Sequence, residues 1–187
     1  MKLSKLLTTA TLLLFAICNA QKNTDLKINT KVNKEFLETQ QSLFGKLDSE
    51  DAKVIRAMIT KELDAPIPDD RSIFINYFQY GTHCYEYGLS KKDSNSTVDR
   101  QIKISSSVTK DYNVADFFVY TNQYPKKENL EKRKNFILDS GFFQKTIFTI
   151  QDHCCAFFIL KPNGDFIKHY GPDYHSQVLE FLKKESN

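Results

Sequence analysis

The stretch that most constrains this chain is Ile73-Phe74-Ile75-Asn76-Tyr77-Phe78, which continues through Gln79 and Tyr80 to Gly81 and is followed at once by Thr82-His83-Cys84. An apolar, β-branched and aromatic run of this kind has the composition of a strand buried on both faces. It places the centre of the protein there. The run ends on a glycine and delivers a histidine and a thiol within three residues, and a strand that runs out into a short turn is a common way to present a nucleophile or a metal ligand. The plain reading of Cys84 by itself is a small buried hydrophobe, since free cysteine is among the most buried residue types. The rest of the chain weighs against that.

Around this strand the pattern is that of one α/β domain, the size that 187 residues support. Residues 21–33 are polar and without period. From Lys34, the apolar residues Phe36, Leu37, Leu43, Phe44 and Leu47 fall near helical spacing. Asp48 or Ser49 can cap a second helix with Val54, Ile55, Met58, Ile59 and Leu63 on one face, which Pro66 and Pro68 end. Neither helix carries chemistry. Beyond Cys84, residues 90–96 read as a loop or helix interruption, and Val98, Ile102, Ser105, Val108 and Tyr112 as a helix face. Residues 115–121 form a second buried-type strand. Leu130, Ile137 and Leu138 mark a charged surface helix stopped by Ser140-Gly141, and residues 142–150 alternate weakly, as extended chain does. Residues 156–160 are a third strand, Pro162-Asn163-Gly164 a tight turn, 165–170 the returning strand and 173–185 a last helix bearing Tyr174, Val178, Phe181 and Leu182. The order from Ile73 is β-α-β-α-β-β-α.

Compartment follows from the N-terminus. Met1-Lys2-Leu3-Ser4-Lys5 is basic, residues 6–18 are mostly apolar, and Cys18-Asn19-Ala20 supplies small residues, the layout of a secretory signal peptide cut after Ala20. A lipid on Cys18 ranks second because Ile17 is a poor residue before such a cut. Cleavage removes Lys2 and Lys5 and no acids, taking the formal charge from +3 to +1. A near-neutral protein has no electrostatic case for nucleic acid or a membrane surface, and no membrane span is left after cleavage. Three cysteines remain, Cys84, Cys154 and Cys155. In an exported, oxidising setting, periplasmic or extracellular, that odd number means one bridge with a thiol to spare, a metal site, or chemistry.

The element order resembles the thioredoxin core over about residues 72–186. Tyr80-Gly81-Thr82-His83-Cys84 is similar to the Trp-Ala-Thr-Trp-Cys of secreted thioredoxin-like redoxins, and Phe158-Ile159-Leu160-Lys161-Pro162-Asn163-Gly164-Asp165-Phe166-Ile167 to the family's Phe-Leu-Ile-Asp-x-x-Gly-x-Ile hairpin. The resemblance implies a thioredoxin-like β-α-β-α-β-β-α fold with a two-helix N-terminal extension: leader 1–20, extension 21–70, domain 71–187. It sets Cys84 at the attacking position and implies that the first and third strands are antiparallel neighbours, so that Cys84 meets Cys154-Cys155, with His83 and His153 alongside. The family's second cysteine falls on Tyr87 and its cis-proline on Cys155, so no Cys-x-x-Cys pair exists here.

Three readings stay open. In the first, the protein is a thiol-disulfide oxidoreductase acting on exported protein thiols or disulfides without a cofactor; Cys84 attacks, Cys154 or Cys155 resolves, and His83 assists. In the second, a soft metal, copper or zinc, is held by Cys84, Cys154, Cys155 and His153, although adjacent ligands seldom reach one ion. In the third, the protein is a redox-inactive binding or scaffold module. His169 and His175 read as exposed surface histidines, Phe142 and Phe143 as core, and Asn95-Ser96-Thr97 as a glycosylation acceptor pattern.

Overall fold

The computed structural model describes residues 27–172 and 175–184. The expected leader with Cys18 and Ala20, and Asp173, Tyr174 and Glu185 of the expected last helix, lie outside the described residues.

In chain order the elements are α1 (Lys34–Glu38), β1 (Gln41–Lys46), α2 (Ser49–Leu63), β2 (Ser72–Phe78), a 3-10 turn (Tyr85–Gly88), α3 (Lys91–Asp111), β3 (Val114–Tyr120), a second 3-10 turn (Lys127–Asn129), β4 (Phe136–Leu138), α4 (Phe142–Thr146), β5 (Cys155–Leu160), β6 (Asp165–Tyr170) and α5 (His175–Lys183). Six strands make one sheet in the order β1-β6-β5-β2-β3-β4. β2 is buried at every residue, as its composition predicts, and lies parallel to β3 and antiparallel to β5. β5 and β6 form the expected hairpin, closed at Gly164, whose φ of +87° suits a residue without a Cβ.

Alternation along β2 divides the core. Ile73, Ile75 and Tyr77 face Ile59 and Leu63 of α2 and Phe143 of α4. Phe74 faces Val108 of α3 and Val178 and Phe181 of α5. On that second face the buried Asn76 donates to Asp116 Oδ1 at 2.6 Å and Ser105 of α3 to Oδ2 at 2.7 Å. The pair of bonds fastens α3 to the sheet. Helices on both faces of a mixed sheet, with a parallel β-α-β unit followed by an antiparallel hairpin and a terminal helix, make the fold thioredoxin-like.

Four expectations are corrected. Leu43, Phe44 and Leu47 do not continue a first helix: α1 is five residues long, and residues 41–46 form β1, antiparallel to β6. The free edge of β6 outweighs the local apolar spacing, and Gly45, the poorest helix former in the segment, has no Cβ to collide with the ring of Phe166. The extension therefore keeps two helices but contributes a strand to the main sheet between them. Residues 90–96 open α3 rather than interrupt it, with Ser90 capping the helix from its side chain. Residues 130–138 are not a surface helix. Leu130 is fully buried, and Arg133 bonds Asp99 of α3 at 2.6 Å. Residues 136–138 then pair with the open edge of β3. Residues 142–146 are helical rather than extended because Asp139 accepts from the backbone N–H groups of Gly141, Phe143 and Gln144 at 2.9, 3.1 and 3.0 Å. The expected core role of Phe142 and Phe143 holds. Among the described residues, no helix is long and apolar enough to cross a membrane.

Candidate functional site: two loop ends joined by a disulfide

The register of β2 with β5 sets Phe78 opposite Cys155, so the loop leaving β2 and the loop entering β5 start side by side. They stay together for six residues. Gln79 N–H donates to Cys154 O at 3.0 Å, Thr82 N–H to Gln151 O at 3.2 Å and His83 N–H to Asp152 O at 2.7 Å. The buried side chain of Gln79 adds bonds to Ile150 O at 2.7 Å and His153 O at 3.0 Å. Gly81 permits the approach: a Cβ there would overlap the His153 carbonyl carbon and the Cys154 amide nitrogen. The loops bring Cys84 and Cys154 to a Cα separation of 5.2 Å, inside the range a disulfide needs, and the two sulfurs are bonded. Both residues are buried, at 0% and 2% exposure.

Among the described residues, Cys155 is the free cysteine. It is buried beside the same cluster but bonded to neither partner, so of the two candidate resolving residues it is Cys154 that the fold joins to Cys84. Burial, with the carboxyl of Glu86 nearby, drives the Cys155 thiol upward, against a weaker lowering by a hydrogen bond to Gln101. It stays a thiol at physiological pH and is a poor nucleophile. Glu86 is itself buried, which raises its carboxyl, while Ser94, donating to it at 3.0 Å, pulls the other way.

His83 and His153 arrive with the cysteines as expected, their ring centroids 5.6 Å apart, and both rings meet the edge or face of Phe36 from α1, at 6.0 and 4.8 Å. Thr39 Oγ1 lies 3.0 Å from His153 Nε2. Burial, and then His83 alongside, pushes His153 down to about 4, so it is neutral at physiological pH and contributes no charge to a thiolate. His83 Nε2 lies 3.5 Å from Glu35 Oε1. Cys84 precedes only the four-residue 3-10 turn Tyr85–Gly88 and not a long helix, so the helix-dipole support expected for its thiolate is small. The bond between Cys84 and Cys154 also removes two of the expected metal ligands, which must be thiolates to bind. Among the described residues, no group of three or more His, Cys, Asp or Glu side chains is arranged to hold a metal.

His169 corrects another expectation. It is buried at 1%, tilted against Phe157 at 5.3 Å and within 2.8 Å of Ser42 Oγ, because β1 covers the edge on which it would have been exposed. The sequence reading assigned Gln79, Thr39 and Phe36 no place at the site. Gln79, a polar residue closing an apolar run just before the loop, was the one legible signal.

The site, two cysteines joined between the loops that leave and enter neighbouring antiparallel strands of a thioredoxin-like sheet, defines a protein of that superfold carrying an inter-loop disulfide. No family model matches the chain. No curated protein matches it either. A solved structure similar to it is the thioredoxin domain of a thiol-disulfide oxidoreductase from Bacteroides vulgatus, 15% identical, covering 62% of this chain and 81% of that one with a TM-score of 0.39. The fold assignment rests on the strand order and pairing described above.

Proposed function

We propose that this protein is an exported thiol-disulfide oxidoreductase whose redox pair is Cys84 and Cys154. The observation that carries the reading is the bond between them, formed at the strand ends where a thioredoxin-like fold keeps its chemistry. Export is supported by the leader pattern and fits a compartment in which such bonds persist. In the reductive direction the Cys84 thiolate attacks a substrate disulfide, forming a mixed disulfide and releasing one substrate thiolate. The Cys154 thiolate then attacks Cys84 Sγ, releasing the second substrate thiolate and leaving the Cys84–Cys154 bridge. Two electrons pass to the substrate, and the reverse sequence oxidises a dithiol. Cys155 takes no part.

Burial of the bridge favours a second reading, a redox-inactive binding module stapled by an inert disulfide. Reduction of insulin by the protein in the presence of dithiothreitol separates the two. The redox reading expects turnover that Cys84→Ser abolishes and Cys155→Ala leaves intact. Equal rates with and without Cys84 would establish the inert staple.

A further inference from the structure

The segment entering the described part of the chain lies directly on the redox loop. Asn29 N–H donates to Thr82 O at 2.8 Å and accepts in return, through its carbonyl, from Cys84 N–H at 2.9 Å, a one-residue parallel bridge to His83. Ile28 beside it packs on the cluster that contains Cys84, Cys154 and Cys155. The rest of the segment is turned on itself and exposed: Asn29 Nδ2 bonds Asn33 Oδ1 at 2.9 Å, Lys31 N–H returns to Asn29 Oδ1 at 3.1 Å, and Lys31, Val32 and Asn33 face solvent. One residue's main-chain pair and one aliphatic side chain therefore seat the segment on the loop. With it in place, both bridged cysteines are buried, Cys84 at 0% and Cys154 at 2% exposure.

We propose that residues 27–33 form an internal strap on a peptide-docking edge, and that the partner is an extended polypeptide segment with an apolar side chain, which displaces Ile28-Asn29 and bonds Thr82 O and Cys84 N–H in their place. Those two groups are offered with the spacing of a strand edge, so any residue presenting its own N–H and C=O fits, and the apolar seat of Ile28 supplies the selectivity. Dithiothreitol has neither group and gains nothing from the edge. That this partner is a substrate rests on the redox reading. That the strap sits on the loop carrying Cys84 does not.

The test reads access to the disulfide, not turnover. Purified protein is incubated with dithiothreitol, whose two thiols close to a cyclic disulfide as Cys84 and Cys154 take up two electrons and two protons, and the reduced fraction is trapped by alkylation and weighed. Ile28→Asp, which unseats the side chain, and Asn29→Pro, which removes the donated N–H, should each accelerate reduction about 5- to 30-fold while thermal unfolding of the oxidised protein stays cooperative. Having two variants with different lesions guards against one that fails to fold. A synthetic peptide of residues 27–33 should slow reduction of the Asn29→Pro protein again, and the same peptide carrying Ile28→Asp should not. Reduction of both variants at the parental rate overturns the strap. Accelerated reduction that the peptide does not slow overturns the docking edge. Neither result depends on insulin turnover, so failure of the strap and failure of the redox reading are told apart.

Discussion

Breaking the Cys84–Cys154 bond should cost this protein a large share of its stability, and the size follows from the chain. The two residues are 70 apart in sequence, so the bond closes a long loop of the unfolded ensemble. Loop-closure entropy for about 70 residues is about 15 cal/mol/K, or about 4.4 kcal/mol at 25 °C. On the native side little is lost: the two loops remain tied by three backbone bonds and by the two bonds from Gln79. The stabilisation is therefore carried mostly by the unfolded state. Urea unfolding with and without reductant is the assay. With a slope of about 2 kcal/mol/M, the midpoint should fall by about 2 M on reduction. The same difference predicts that the native pair is about 90 mV more reducing than the pair in the unfolded chain, since about 30 mV corresponds to 1.4 kcal/mol for two electrons. A bond so favoured by the fold is more readily formed than given away, so the reduced protein should act as a donor of electrons. A midpoint shift below about 0.5 M would refute the reasoning. It would mean that the loops are already held together when the chain is unfolded, or that the native state without the bond relaxes into something as stable.

The pH dependence should show two opposed groups. Burial pushes Asp116 up to about 6 from an ordinary 3.8, with the bonds from Ser105 and Asn76 acting in the other direction. Its folded pKa is raised, so its contribution is present below about 3.8 and is lost as pH rises through 6, a change of roughly 3 kcal/mol. His153 is lowered from 6.5 to about 4, so its contribution is present above 6.5 and is lost as pH falls through 4. Between pH 4 and 6 the two slopes cancel in part. Asp116→Asn should unmask acid lability and His153→Gln should unmask a gain on acidification, both read from urea midpoints; parallel profiles for all three proteins would disprove the assignment. Gly81→Ala places a methyl against the His153 carbonyl and the Cys154 amide. It should cost about 1–3 kcal/mol and shift the disulfide toward the reduced state in a glutathione buffer. An unchanged midpoint and redox balance would show that the loops have more freedom than their bonding implies.

What the sequence alone determined is the part of this protein written in local pattern. The apolar and aromatic run at residues 73–78, interrupted only by Asn76, had to be an interior strand. Val98, Ile102, Ser105 and Val108 had to line a helix, and Asn163-Gly164 had to close a hairpin. That order and two local motifs resemble the thioredoxin core, and the resemblance implied the topology and with it the meeting of Cys84 with the Cys154-Cys155 pair. Three things belonged to the tertiary structure. The free edge of β6 drew residues 41–46 into a strand against their helical spacing, and in doing so buried His169. Which of two adjacent cysteines bonds Cys84 depended on the loop geometry that Gly81 and Gln79 impose, because neighbouring residues differ only in the direction of their side chains and no spacing rule reports that. The strap of residues 27–33 carries no periodicity at all. Its place is set by two hydrogen bonds to a loop more than fifty residues further along, and only the folded chain brings those groups within reach.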